Sequence, residues 1–236
     1  MKNKKILMLM LSAVLSIACV MAFAGCGSSD SEQPAEEPEA TEEAQPDMDA
    51  LWQQVAEQDL TKQYAETGLT DEVFANAEVF GIDTEGESNT AYVYLNEGEF
   101  VVVKDKAYEI SGGSGEAIVK FDATAEGTTL TEVIWSADGS DHEAWLEENF
   151  PAEYLETAKA YEPSDKDGNN KLNQELSTAA EEALGVPVET ENLLEIDLDN
   201  GTYTISSVSE SGDPGSDDYK FETTTIEEGS ISDLTE

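Results

Sequence analysis

The amino-acid sequence predicts an α+β fold, in which an antiparallel β meander is packed by short helices and followed by a C-terminal helix plus hairpin. Three observations predict it. Short runs rich in Val, Ile, Tyr and Phe recur between Thr90 and Trp135. Apolar residues at helical spacing lie on both sides of these runs. Asp199-Asn200-Gly201 then gives the strongest hairpin signal in the chain, between two apolar runs.

The predicted meander has four or five strands, separated by glycine-rich or charged turns. The runs are 90–95, 99–104, 107–110, 117–121 and 130–135. Alternation puts Phe100 and Val102 on one face, which continues either through Ile118 or through Ala117, Val119 and Phe121. The sequence leaves these two registers open. Residues 111–115, Ser-Gly-Gly-Ser-Gly, are predicted to be a flexible hairpin turn.

Helices are predicted before and after the meander. The first begins near Met48, where an aspartate precedes Leu51, Trp52 and Val55 on one helical face. A second is predicted over 70–80, although its last residues could already enter a strand. Later helices are expected over 143–150, 151–161 and 172–184.

The chain is predicted to divide into six segments. They are a signal peptide (1–25), an acidic disordered tether (26–49), an α+β core (50–162), a loop (163–171), a helix and β-hairpin packed on or beside the core (172–208), and an acidic C-terminal segment with at most one strand (209–236). The tether has repeated Glu, Pro, Ala and Thr and no apolar period.

The N-terminus has the layout of a signal peptide. Lys2, Lys4 and Lys5 precede an apolar run over 6–24, and positive flanks are retained in the cytoplasm. The remainder is therefore expected outside the cell. An uncleaved signal anchor is the alternative, since the run approaches the ~20 residues that span a bilayer.

Residues 23–26, Phe-Ala-Gly-Cys, resemble the lipobox of bacterial lipoproteins, with Phe23 where Leu is usual. The resemblance implies that Cys26 receives a diacylglyceryl group and becomes the mature N-terminus. Residues 16–19, Ser-Ile-Ala-Cys, form a rival lipobox, but cleavage before Cys19 would leave an apolar mature N-terminus, whereas Cys26 is followed by polar residues. We therefore expect attachment through lipid on Cys26 to the outer face of the cytoplasmic membrane of a bacterium, of the Gram-positive type. No disulfide is then possible, because Cys26 is the only cysteine left.

The chain is strongly acidic, with 53 Asp and Glu against 11 basic residues and a formal net charge of −42. Such a surface repels nucleic acid and anionic lipid headgroups, so no nucleic-acid partner is expected. All basic residues are Lys, which removes the bidentate fork that arginine offers to carboxylates and phosphates. Attraction of cations is the functional consequence that remains.

The central segment, 85–155, resembles an extracytoplasmic domain of Firmicutes lipoproteins that is similar to domains behind membrane metallopeptidases of the β-lactam-receptor type. The matching residues are Tyr-Val-Tyr-Leu at 92–95, Glu-Phe-Val-Val-Val at 99–103, the glycine-rich 111–115, Ala-Ile-Val-Lys-Phe at 117–121, Glu-Val-Ile-Trp at 132–135, Asp-Gly-Ser at 138–140 and Phe-Pro at 150–151. The resemblance implies an extracytoplasmic α+β module with a β meander and no catalytic residue.

One stretch has some character of a calcium loop. Asp165, Asp167 and Asn169 occupy its first, third and fifth places, and Glu175 lies one residue from the place of the bidentate ligand. Either a degenerate calcium site or a plain solvated loop fits this pattern. His142 is the only histidine, so no His pair can bind zinc, and we expect a surface or helix-cap role for it.

The sequence carries no cofactor or nucleophile motif, which favours a non-catalytic module that binds or senses an envelope ligand or protein. Tyr92, Tyr94 and Trp135 are candidate binding residues, with core packing as the alternative role for each. A carboxylate-dependent hydrolase of cell-wall or glycan material is a second prediction, and it requires a cleft with facing acidic groups and a raised pKa. A weak calcium-dependent adhesion module is a third.

Overall fold

A computed structural model of the protein describes residues 46–165, 168, 170–211 and 220–234. Cys26, the predicted signal peptide, most of the predicted tether, Asp167 and Asn169 lie outside the described residues. Within the described part the fold is α+β as predicted, with four α-helices and two sheets. None of the described helices is both long enough and apolar enough to cross a membrane.

The large sheet is an antiparallel meander in the order β1-β2-β3-β4. Its strands are β1 (Asp71–Glu85), β2 (Ser88–Val103), β3 (Lys106–Thr124) and β4 (Gly127–Trp135). A two-residue strand, β5 (Val188–Glu189), pairs in parallel with the start of β3. The small sheet consists of β6 (Asn192–Asp197), β7 (Thr202–Ser211) and β8 (Lys220–Ser230), and β6 and β7 form the predicted hairpin.

The helices are α1 (Met48–Asp59), α2 (His142–Asn149), α3 (Ala152–Lys159) and α4 (Lys171–Leu184). Three short 3-10 turns accompany them, at Ala65–Thr67, Gly139–Asp141 and Ile231–Leu234. The N-cap of α1 is Asp47, whose side chain accepts a hydrogen bond from the Ala50 amide at 3.1 Å. The helices predicted at the start, around Trp145 and Tyr154, and over 172–184 are thus confirmed.

The helix predicted over 70–80 is wrong, because residues 71–80 belong to β1, which pairs with β2 along its whole length. Only the alternative, that the last of these residues enter a strand, is confirmed. Ala77 packs on the face that α1 covers, whereas Phe74 packs against the ring of Phe100 under α4. Since both faces of the strand are covered, apolar residues follow one another without polar alternation. Apolar residues then also occur at the spacing that is typical of one face of a helix.

The flexible turn predicted over 111–115 is also wrong, because this segment continues β3. Gly112 lies opposite Gly98 of β2. A Cβ atom on Gly112 would lie 2.5 Å from the Glu97 carbonyl oxygen and 3.3 Å from the Gly98 Cα. The glycine therefore permits a close approach of two strands. As a consequence, the predicted runs 90–95 and 99–104 form one strand, which ends one residue earlier at Val103, and 107–110 and 117–121 form another.

Helices cover both faces of the large sheet. On one face, α1 packs Leu51, Trp52 and Val55 against a buried cluster of Ala91, Val93, Leu95, Ala117, Val119 and Phe121. On the other, α2 and α3 pack Leu146, Phe150 and Ala158 against Ile118, and α4 packs Leu176 and Ala180 against Phe100. Of the two registers that the sequence left open, the one through Ile118 is therefore correct.

The small sheet completes the core at the far end of β2 and β3. Its side chains Leu194, Tyr203 and Ile205 form a buried cluster with Val101, Val103, Tyr108, Tyr64, Leu69 and Ile231. Each half of β2 is consequently buried against different elements, and the strand connects the two regions of the core.

Candidate functional site

An open groove of about 460 Å³ lies between the segment after α3 and the first turns of α4. The groove is lined by Glu78, Tyr161, Glu162, Pro163, Asp165, Lys171 and Gln174. Glu78 comes from β1, Lys171 and Gln174 come from α4, and the other four follow α3. Three separate parts of the chain therefore form its walls.

The Tyr161 ring is held by aromatic packing. Its centroid lies 5.0 Å from that of Tyr94 and 5.5 Å from that of Phe80. Burial raises the pKa of the Tyr161 hydroxyl, and the negative charge of Glu78 adds to this. The hydroxyl therefore stays neutral at physiological pH and can donate a hydrogen bond in the groove.

The start of α4 is fixed on the sheet beside the groove. The Asn76 side-chain amide of β1 donates to the Leu172 carbonyl oxygen at 2.8 Å. The N-cap residue Asn170 accepts from the Asn173 amide at 3.2 Å. These contacts position Gln174 and Lys171 relative to β1, and the Lys171 ammonium pairs with Glu175 at 3.4 Å.

The groove combines three carboxylates, one ammonium group and an aromatic ring. The ammonium group of Lys171 is partly compensated by Glu175, so the local charge is negative. Carboxylates attract a cation, and an aromatic ring within about 6 Å adds a further attraction to its positive charge. The arrangement therefore suits a small organic cation.

Two of the predicted binding residues belong to the aromatic cluster that continues from the groove. Tyr92 packs between Phe150, at 5.2 Å, and Tyr154, at 5.3 Å. Tyr94 contacts Tyr161, and its hydroxyl lies 3.2 Å from the Ser114 hydroxyl. Both rings are half-buried. Tyr94 supports the groove, whereas Tyr92 packs under α2 and α3.

Trp135 lies away from the groove. Its ring packs against the core under α1, and its indole N–H donates to the Asp59 carboxylate at 2.8 Å. His142 is the first residue of α2, and its Nε2 lies 2.8 Å from a Glu116 carboxylate oxygen. These two residues therefore help to fix the ends of helices.

The residues of the predicted calcium loop are only partly described. Asp165 lines the groove, and Glu175 pairs with Lys171. Asp167 and Asn169 lie outside the described residues. In the ranges that the structure covers, no three His, Cys, Asp or Glu side chains are arranged to hold a metal ion. Calcium binding stays a prediction.

A second group of titratable residues was not predicted from the sequence. Asp71, Glu97 and Glu99 are all more than nine-tenths buried beside the C-terminal end of α1. Glu99 accepts from the Gln63 amide at 3.1 Å, and Asp71 accepts from the Tyr64 amide at 2.7 Å. Burial raises the pKa of Glu97 to about 7, with a further contribution from the charge of Asp59. Burial likewise raises the pKa of Glu99.

One signal in the sequence could have found these acids. The alternation Ala91, Val93, Leu95 continues in steps of two to Glu97 and Glu99, so a continuous strand brings both carboxyls to the inner face. The groove gave no comparable signal, because its walls are distant in sequence.

Comparisons of the chain with protein-family models, with curated proteins and with solved structures find no match.

Proposed function

We propose that this protein is a lipid-anchored module on the outer face of a bacterial cytoplasmic membrane and that it binds a small organic cation. The observation that carries the binding proposal is the groove, in which the Tyr161 ring and three carboxylates line one open cavity. The apolar N-terminal run and the lipobox-like residues 23–26 support the location. The sequence predicts a module that binds an unspecified envelope ligand or protein, and we propose that the ligand is a small organic cation.

The charge of the whole chain favours the same ligand class. A net charge of −42 raises the local concentration of cations around the protein and lowers that of anions. Selectivity would then come from the groove, where Glu78 lies beside the Tyr161 ring. A simple inorganic cation would use only the carboxylates, whereas an organic cation would also contact the ring.

Calorimetric titration with choline, putrescine and spermidine tests the binding proposal. We expect at least one of these amines to bind with a dissociation constant below about 1 mM. Glu78→Gln, which keeps the shape of the side chain, should weaken this binding about 10-fold. Glu126→Gln, in the exposed turn between β3 and β4, is the matched control and should leave binding unchanged.

Two results would contradict the binding proposal. One is the absence of heat with all three amines at millimolar concentration. The other is an equal loss of affinity in Glu78→Gln and Glu126→Gln, because general surface charge would then account for the attraction.

Labelling of cells with radioactive palmitate tests the anchor separately. We expect the label on the wild-type chain and on Cys19→Ser, and its loss from Cys26→Ser together with release of the protein from the membrane fraction. Label that persists in Cys26→Ser would mean that the lipid is attached elsewhere. This outcome is independent of ligand binding.

The hydrolase alternative requires a raised carboxyl pKa and a cleft in the same place. In the described residues the carboxyl with a pKa of about 7 is Glu97, which is 7% exposed, and it does not line the groove. The groove therefore favours binding as the function that we propose. The carboxylate-dependent hydrolase and the calcium-dependent adhesion module stay predictions.

A further inference from the structure

A buried carboxyl without a counter-charge lies beneath the C-terminal end of α1. Glu97 of β2 is 7% exposed, and its Oε2 atom is fully buried and has no hydrogen-bond partner among the residues that the structure describes. The charged group that acts on it is Asp59, the last residue of α1. The Asp59 carboxylate is itself held by the indole N–H of Trp135 at 2.8 Å.

No charged residue lies directly opposite Glu97 on the two neighbouring strands. Its partners across the sheet are Ala75 of β1 and Gly113 of β3. The Glu97 Oε1 atom lies beside Gly113, which has no side chain that could compensate a charge.

Three further acidic groups belong to this region. They are Glu99 on β2, Asp71 on β1 and the Tyr64 hydroxyl in the segment after α1. The lysine of that segment, Lys62, pairs with Glu72. None of the ion pairs among the described residues includes Glu97, so no ammonium group compensates a negative charge there.

An ionised carboxylate in such a place would be unfavourable for two reasons. It would lose its hydration without gaining a partner, and it would be repelled by Asp59. A neutral carboxylic acid avoids both penalties and gains a hydrogen that can be donated.

We propose that Glu97 is a proton-binding site, so that α1 packs on the large sheet with a proton on this carboxyl and its packing weakens when the proton is lost. The ligand is thus a proton that is taken up on folding. The site is separate from the groove, and it does not depend on the function proposed for the groove.

The direction of the pH effect follows from the two states of Glu97. Its pKa is about 7 in the folded chain, against an ordinary value of 4.5. The folded state therefore binds the proton more tightly than the unfolded state. The stabilisation is fully present below pH 4.5 and is lost as the pH rises through 7.

Urea unfolding of the full-length protein in detergent at pH 4.5 and pH 8 tests the proposal, with Glu97→Gln as a mimic of the neutral acid. The ratio of folded to unfolded wild type should fall about 100-fold more over this range than the ratio for Glu97→Gln. Glu126→Gln, on the exposed turn, is the control and should keep the wild-type dependence. Added salt of about 0.5 M keeps general surface repulsion small.

Parallel pH dependences of the wild type and Glu97→Gln would overturn the proposal. If the variant does not fold, carbon-13 labelling of glutamate carboxyls in the wild type gives a direct test. One carboxyl resonance with a midpoint near pH 7 would support the proposal, whereas midpoints that all lie below pH 5 would overturn it. Stabilisation at pH 8 by calcium in the wild type but not in Glu97→Gln would also overturn it, because the site would then hold a metal ion.

Discussion

Gly81 of β1 lies directly beneath the ring of Tyr154, a side chain of α3. A Cβ atom built on it would overlap the ring of Tyr154 on α3. The ring cannot easily move aside, because its hydroxyl donates to the Asp83 carboxylate at 3.0 Å and its face packs on Tyr92. The bulge between Val79 and Gly81 brings the glycine to this position.

We therefore expect Gly81→Ala to lower the free energy of unfolding by about 1 to 3 kcal/mol, the usual cost of overpacking. Urea denaturation followed by tryptophan fluorescence measures this change. Gly115→Ala is the matched control on β3, since a Cβ atom there would meet its nearest neighbour only at 3.8 Å. Equal effects of the two substitutions would contradict the steric explanation.

The buried acids show where sequence reasoning at the level of single residues is insufficient. Charged side chains are rarely buried, so Glu97 looks like part of a turn between the predicted runs 90–95 and 99–104, and Glu99 is only the first residue of the second run. Their burial follows from the continuity of β2, which depends on the opposing glycines Gly98 and Gly112. Neither glycine indicates by itself which other glycine it faces.

Among whole elements, α4 has the clearest sequence signal, and its apolar face packs on the large sheet. Leu172, Leu176 and Ala180 are its buried residues, and they repeat every four positions. This spacing predicted the helix. The spacing did not predict that Leu176 would pack against Phe100 of β2, because the partner of an apolar face is not encoded locally.

Leu176→Ala tests how strongly α4 depends on this contact. The side chain is 3% exposed, so its truncation should leave a cavity and lower the free energy of unfolding by about 2 to 5 kcal/mol. Leu193→Ala, on the small sheet, provides a control with the same chemical change. Leu193 is 46% exposed, and we expect a change within about 0.5 kcal/mol. Thermal unfolding of both variants measures the difference, and similar losses would contradict the packing described here.

At the scale of the whole molecule, two carboxyls respond to pH in opposite ways. The Lys106 ammonium, together with the Glu191 amide, lowers the pKa of Glu189 to about 2. This contact stabilises the fold above pH 4.5 and is lost as the pH falls towards 2. The stabilisation from a protonated Glu97 is instead lost as the pH rises from 4.5 through 7.

The thermal unfolding temperature should consequently be highest at about pH 4 to 5 and should fall on both sides, because each carboxyl weakens the fold on one side. Calorimetry between pH 2 and pH 9 measures this profile. Salt distinguishes the causes, since about 0.5 M salt screens repulsion between surface acids but does not remove the cost of desolvating Glu97. A maximum above pH 7 at high salt would contradict this prediction.

The sequence predicted the fold class correctly, together with α1, the helices after the meander and the hairpin at Gly201. These elements have strong local periodicity or an unambiguous turn. The sequence did not predict β1 as a strand, since its evidence lies in the pairing with β2. It could not predict the groove either, because Glu78, Tyr161 and Gln174 meet only through the tertiary fold.

The position of the small sheet has a consequence for the order of events during folding. Val101, Val103 and Tyr108 lie far before Leu194, Tyr203 and Ile231 in the chain, and these later side chains cover them. A chain in which β2 and β3 have formed before the later residues join them displays an apolar strip at the end of these strands. Such a strip is what chaperones bind and what drives aggregation of incomplete chains. The core therefore closes only when the last described turn, Ile231–Leu234, has been added.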